Sequence, residues 1–99
     1  MTNDAVKTAP HVYKVLSETD KVRVLEARMH PGAKTELHAH PTHVAIAVTP
    51  GKYRFAGADG KTIDAELKAG ETMVFAEPTE HTSENIGENE VIAILVEIK

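Results

Sequence analysis

Residues 36–44 read ELHAHPTHV, and three of the chain's six histidines, His38, His40 and His43, fall within them. Side chains alternate along a β-strand, so His38 and His40 project to one face, a spacing suited to chelation. If that phase runs on, the same face carries Val44, Ile46 and Val48. Two imidazoles at the end of an apolar face belong in the mouth of a barrel rather than on its outside. His43 is out of phase with the pair unless Pro41 and Thr42 form a bulge, which proline favours. Imidazoles on a rigid strand suit zinc, iron, nickel, copper or manganese. A third ligand has to come from elsewhere, and His81, in EPTEHTSEN (77–85), is the candidate. His-x-His alone is a weak pattern, and on spacing alone ordinary strand-end histidines explain it as well. His11 and His30, beside prolines and loops, read as surface residues.

Outward from this stretch the chain is dominated by strand patterns. HVYKVL (11–16) and KVRVLEARM (21–29) flank the turn-like SETD, and TELHAH (35–40) and HVAIAV (43–48) flank Pro41. Asp59-Gly60 predicts a hairpin between strands at 52–56 and 61–67. TMVFAE follows LKAGE, and EVIAILVEI (90–98) is the last strand. Nothing longer than a turn reads as a helix. Short strands punctuated by Gly, Pro and Asp predict an all-β sandwich or barrel. Residues 1–10 read as a flexible arm, and 11–99 as one domain. The last strand is apolar on both faces: Val91, Ala93 and Leu95 on one, Ile92, Ile94, Val96 and Ile98 on the other. Such a strand is central or lies at a subunit contact, so a homodimer is expected.

Composition narrows the function. Eleven Lys and Arg against fifteen Asp and Glu give a net charge of −4, with no basic run to grip a phosphate backbone, so no nucleic-acid partner is expected. An apolar content of 41% fits a folded domain rather than a disordered chain. There is no cysteine, which excludes disulfides, thiolate ligands and a cysteine nucleophile. No apolar run approaches a membrane span, so the expectation is a soluble cytoplasmic protein with no membrane partner. The two Phe and two Tyr are too few for stacking on sugars or bases.

Two motifs make the chain resemble the cupins, small jelly-roll β-barrels. Gly32, five intervening residues, His38-x-His40 and a closing Gly51 resemble the first cupin motif, and Gly70, Pro78, His81 and Asn85 resemble the second. The proline turn of the second motif is altered, since Thr79 and Glu80 follow Pro78. The first motif ordinarily carries a glutamate ligand, but Val44 and Ala45 stand there. The resemblance therefore implies a metal site of His38, His40 and His81, with His43 substituting from the neighbouring position. The tract HAHPTHV is similar to that of small single-domain bacterial cupins, some of them associated with β-alanine breakdown.

Three readings of function follow. In the first, a divalent transition metal (Fe, Zn, Ni or Mn) serves a dioxygenase or isomerase acting on a small organic acid. Cupin iron dioxygenases with three histidines and no glutamate make this compatible with Val44. His43 would be the general base, and Arg28 or Arg54 is a candidate to hold a substrate carboxylate, unless both are ordinary solvated residues. In the second, the barrel binds a metal or small ligand without turnover, with Met73 and Phe75 on the facing strand. In the third, the barrel is metal-free and its histidines are satisfied by hydrogen bonds. Glu77 and Glu80 read as surface charges.

Overall fold

The computed structural model describes residues 3–99. Within them a single helical turn, α1 (Ala5–Thr8), precedes nine strands: β1 (Tyr13–Glu18), β2 (Val22–Met29), β3 (His38–His40), β4 (His43–Ala47), β5 (Gly51–Gly57), β6 (Thr62–Leu67), β7 (Thr72–Phe75), β8 (Thr79–Asn85) and β9 (Val91–Ile98). One sheet has the order β1-β2-β9-β4-β7 and the other β3-β8-β5-β6. The architecture is the expected all-β jelly-roll barrel, with the core between the two sheets.

Alternation decides what enters that core. On β9, Val91, Ala93 and Leu95 are buried, whereas Ile92, Ile94 and Val96 are only partly covered and Ile98 is exposed. On β2 the inward set includes Leu25, fully buried, and Met29. Two further features shape the barrel. Gly60, at the β5–β6 hairpin, has φ +83°, a left-handed conformation that costs glycine no steric strain. Gly51 does not need a positive φ. A Cβ there would collide with Cγ1 of the buried Val91, so this glycine permits close packing between the sheets.

The structure departs from the sequence reading at two places. Residues 1–10 were expected as a flexible arm, yet over the described part Ala5 and Ala9 are fully buried and join the core. Asp4 caps α1, accepting from the amide of Val6 at 3.2 Å, and the amide of Ala39 on β3 donates to the carbonyl of Asn3. This segment thus lies against the strand that carries His38 and His40. The second departure concerns β4. Val44, Ile46 and Val48 were expected inward, but the inward residues are His43, Ala45 and Ala47. The cause is that β3 and β4 belong to different sheets. Pro41 and Thr42 carry the chain across, with Thr42 Oγ1 donating to the carbonyl of Ala76 at 2.7 Å, and the alternation restarts on the new sheet.

Candidate metal centre

Strand register builds the site. β3 and β8 are antiparallel with His38 directly opposite His81, and His40 lies two residues along on the same side. All three are buried. Their ligand-capable nitrogens lie within 4.8 Å of one another. The His38 and His40 rings are 4.9 Å apart and almost perpendicular, and His38 and His81 are also 4.9 Å apart. His43 enters from the opposite sheet, its ring 4.7 Å from that of His40 and stacked on Phe75 at 4.4 Å. It stands beside the group of three and outside it.

Hydrogen bonds select which nitrogen His38, His40 and His43 offer. A carbonyl oxygen can only accept, so Nδ1–H of His38 donates to Glu36 O (2.9 Å) and Nδ1–H of His43 donates to Pro41 O (2.8 Å). Nδ1–H of His40 donates to a carboxylate oxygen of Glu97 at 2.7 Å. In His38 and His43 the lone pair is therefore on Nε2, and in all three rings Nε2 is the nitrogen left for a ligand. His40 Nε2 is buried without any hydrogen-bond partner. Such an orphan is costly in a purely structural protein, and it fits a cation. Nε2 of His38 is taken instead by the Tyr13 hydroxyl at 3.0 Å, which also lies 3.4 Å from Ser83 Oγ.

Burial keeps His38, His43 and His81 in the ligating, neutral state. Desolvation lowers the pKa of His38 to about 4, of His43 to about 4 and of His81 to about 3, with the neighbouring imidazoles pushing the same way. Burial likewise pushes Tyr13 above the usual phenol range, and Tyr53 up to about 12. Behind the histidines lies a narrow cavity of about 40 Å³, walled by Tyr53, Phe55, Met73 and Phe75 among others. The Tyr53 hydroxyl is its second buried polar atom without a partner.

Other candidates lie elsewhere. Arg28 pairs with Glu26 and Glu90, and Arg54 makes a two-pronged contact with Asp64; both are well exposed and outside the cavity lining, so neither holds a substrate there. His30 is on the surface, as are His11, Glu77 and Glu80. Asn85 does structural work: its amide donates to the carbonyls of Met29 and Asn89 and accepts from Gly87 N. The sequence reading passed over Tyr13, Tyr53, Ser83 and Glu97. For Glu97 a signal existed, because it shares the alternation of Val91, Ala93 and Leu95 and so points inward.

Comparison with known proteins agrees with this fold. Residues 25–97 match the family model described as Cupin domain. A cupin domain from Bordetella pertussis Tohama I superposes with a TM-score of 0.80 at 27% identity, covering 89% of this chain and 92% of that one. An uncharacterized conserved protein with a double-stranded β-helix domain from Klebsiella pneumoniae gives a TM-score of 0.69 at 25% identity, over 86% of this chain and 73% of that one. Oxalate oxidase is similar in fold alone, at 23% identity and a TM-score of 0.59, over 76% of this chain and 40% of that one. No curated protein matches.

Proposed function

The chain belongs to the cupin family, and on that footing we propose that it binds a divalent transition metal (Fe, Zn, Ni or Mn) through His38, His40 and His81. The observation that carries this reading is the convergence of three buried imidazoles, one of them with an unpartnered Nε2. A bound ion would supply Lewis-acid or redox chemistry to a small organic acid. The protein's own groups set the limits of that chemistry. His43 offers its Nε2 beside the set, as an additional ligand or a proton acceptor. The Tyr13 hydroxyl, next to His38, is placed to donate to an anionic ligand. The cavity lining carries no Lys or Arg, so the acid's charge would be met at the metal rather than by a cationic side chain. With room on the order of a few water molecules, the cavity suits a substrate of few non-hydrogen atoms. β-Alanine and related short acids therefore head the panel of substrates.

The same small, mostly apolar cavity supports a second reading, a barrel that holds a metal or small ligand without turnover. We further propose that the chain works in the cytoplasm as a homodimer. Val24, Val96, Val44 and Val74 form one cross-strand row on the outer face of the five-stranded sheet, with Ile94 and Ile46 in the row beside it. Val74 is 69% exposed. A contiguous apolar face of this kind is suited to a twofold contact with a second copy.

Elemental analysis of untagged protein purified without chelator, compared with His81→Ala, tests the metal site. Near-stoichiometric metal in the wild type, lost in the variant, is the expected outcome. Wild-type protein that arrives metal-free and takes up none of the four ions would refute it. Turnover is then sought with the metal found, by oxygen consumption first if it is iron; activity on no short acid would favour the binding barrel.

A further inference from the structure

Glu97 stands out among the groups around the histidines. It is 1% exposed, lies on β9 directly across from His43, and accepts from Nδ1 of His40 at 2.7 Å. His38 and His43 use backbone carbonyls for the same purpose, so among the described residues His40 is the one clustered histidine with a carboxylate partner. That carboxylate is itself held. Its other oxygen accepts from Nε of Arg23 at 2.7 Å, and Arg23 donates through both terminal nitrogens to Asp4, at 2.7 and 3.2 Å. Asp4 in turn caps α1. A continuous line of charged hydrogen bonds therefore runs from the helical turn near the N-terminus to the imidazole whose Nε2 has no partner. Meanwhile Val44, at the motif position where a carboxylate is missing, lies on the outer face of its sheet.

We propose that Glu97 is a positioning residue for the metal, acting through His40, and that Asp4 and Arg23 hold it in place. The carboxylate arrives from the last strand and touches the ligand rather than the ion. It locks the proton on Nδ1, aims Nε2 into the site and strengthens it as a donor. Arg23 keeps the carboxylate from turning away, and Asp4 keeps Arg23 from following it. The inference rests on the three-histidine metal site proposed above. It adds that the segment around α1 and the metal are energetically coupled, so that each favours the other's binding.

The test is a competition titration of cobalt(II) and zinc against a chromophoric chelator, with the visible spectrum of the cobalt protein as a second readout. Glu97→Gln keeps the shape and removes the charge. It is expected to weaken metal binding about 10- to 100-fold at unchanged stoichiometry and to alter the cobalt bands. Asp4→Asn retains a good helix cap while removing the charge that holds Arg23, and it should weaken binding by a smaller, several-fold factor. Arg28→Gln, which breaks only the two surface ion pairs with Glu26 and Glu90, is the control and leaves affinity unchanged. Wild-type affinity and spectrum in Glu97→Gln overturn the proposal. Should that variant not fold, Asp4→Asn decides, and unchanged affinity there overturns it equally. A wild type that binds no metal, or a His81→Ala variant that still binds it, sinks the underlying site instead, and the two failures are told apart by those controls.

Discussion

Mild acid should destabilise the metal-free protein before its carboxylates are fully protonated. His38, His43 and His81 are held neutral by burial, with pKa values of about 4, 4 and 3 against 6.5 in an unfolded chain. A lowered folded-state value means that the unfolded chain binds the extra protons, so the neutral rings' contribution is complete above pH 6.5 and drains away as pH falls towards 4. At about pH 4.5, two units below the unfolded value, each ring accounts for about 3 kcal/mol. Three independent rings would remove about 8 kcal/mol, against a total stability of about 5–15 kcal/mol for a domain of this kind. Charging one ring discourages the next and water enters as the site loosens, which brings the loss to the order of 5 kcal/mol. Asp4, Glu18 and Asp64 also have lowered values, but their unfolded counterparts titrate near 4, so they contribute little above pH 5. The assay is urea unfolding of chelator-treated protein at fixed ionic strength, from pH 7 to about pH 4.5. With a urea slope of about 1–3 kcal/mol per molar, the midpoint should fall by roughly 2–5 M. Saturating zinc should restore much of the loss, because a coordinated imidazole cannot protonate. A midpoint that stays flat over this range would show that the rings are not buried neutral bases, and the electrostatic reasoning about the site would fail with it.

Three further outcomes are open to measurement. Gly51→Ala forces a methyl into Val91 and should cost about 1–3 kcal/mol; the melting temperature drops by about 4–8 °C for each kcal/mol, and an unchanged value would show that the contact yields freely. Tyr13→Phe removes the hydroxyl that occupies His38 Nε2, so metal affinity should rise roughly two- to tenfold, the worth of one hydrogen bond; a fall would mean that Tyr13 helps to hold the ion. Val74→Glu places a charge on the exposed valine row and should shift sedimentation from dimer to monomer without lowering the monomer's stability, whereas a dimer that persists would locate the contact elsewhere.

Much of this architecture was legible from short-range rules. Strand alternation put His38 and His40 on one side, whereas the strand that faces them was pointed to by the resemblance of Gly70, Pro78, His81 and Asn85 to the second cupin motif. What escaped was phase across a change of sheet. Val44 was read inward because alternation was carried through Pro41 and Thr42 as though β3 and β4 were one strand. Once the chain passes to the other sheet, His43 and two alanines take the inward positions, and those small residues leave the space behind the imidazoles. Arg28 and Arg54 illustrate a second gap: alternation alone does not reveal that an acidic partner waits across the strand or at its end. Glu97 illustrates a third. Its inward phase was visible, but a buried carboxylate makes sense only with His40 and Arg23, from two other strands, already beside it.

The direct opposition of His38 and His81 has a consequence for how the chain folds. His38 and His40 are near neighbours in any conformation, including the unfolded one, whereas His81 arrives only when β8 closes a long loop onto β3. An ion can thus be captured loosely by the first pair, but tight capture waits for that closure. Bringing distant strands together is the slow, entropically demanding part of assembling such a topology. Metal uptake followed during refolding is therefore a clock for the moment at which the two motifs meet, and an ion present from the start would act on the lifetime of the closed barrel more than on the speed of reaching it.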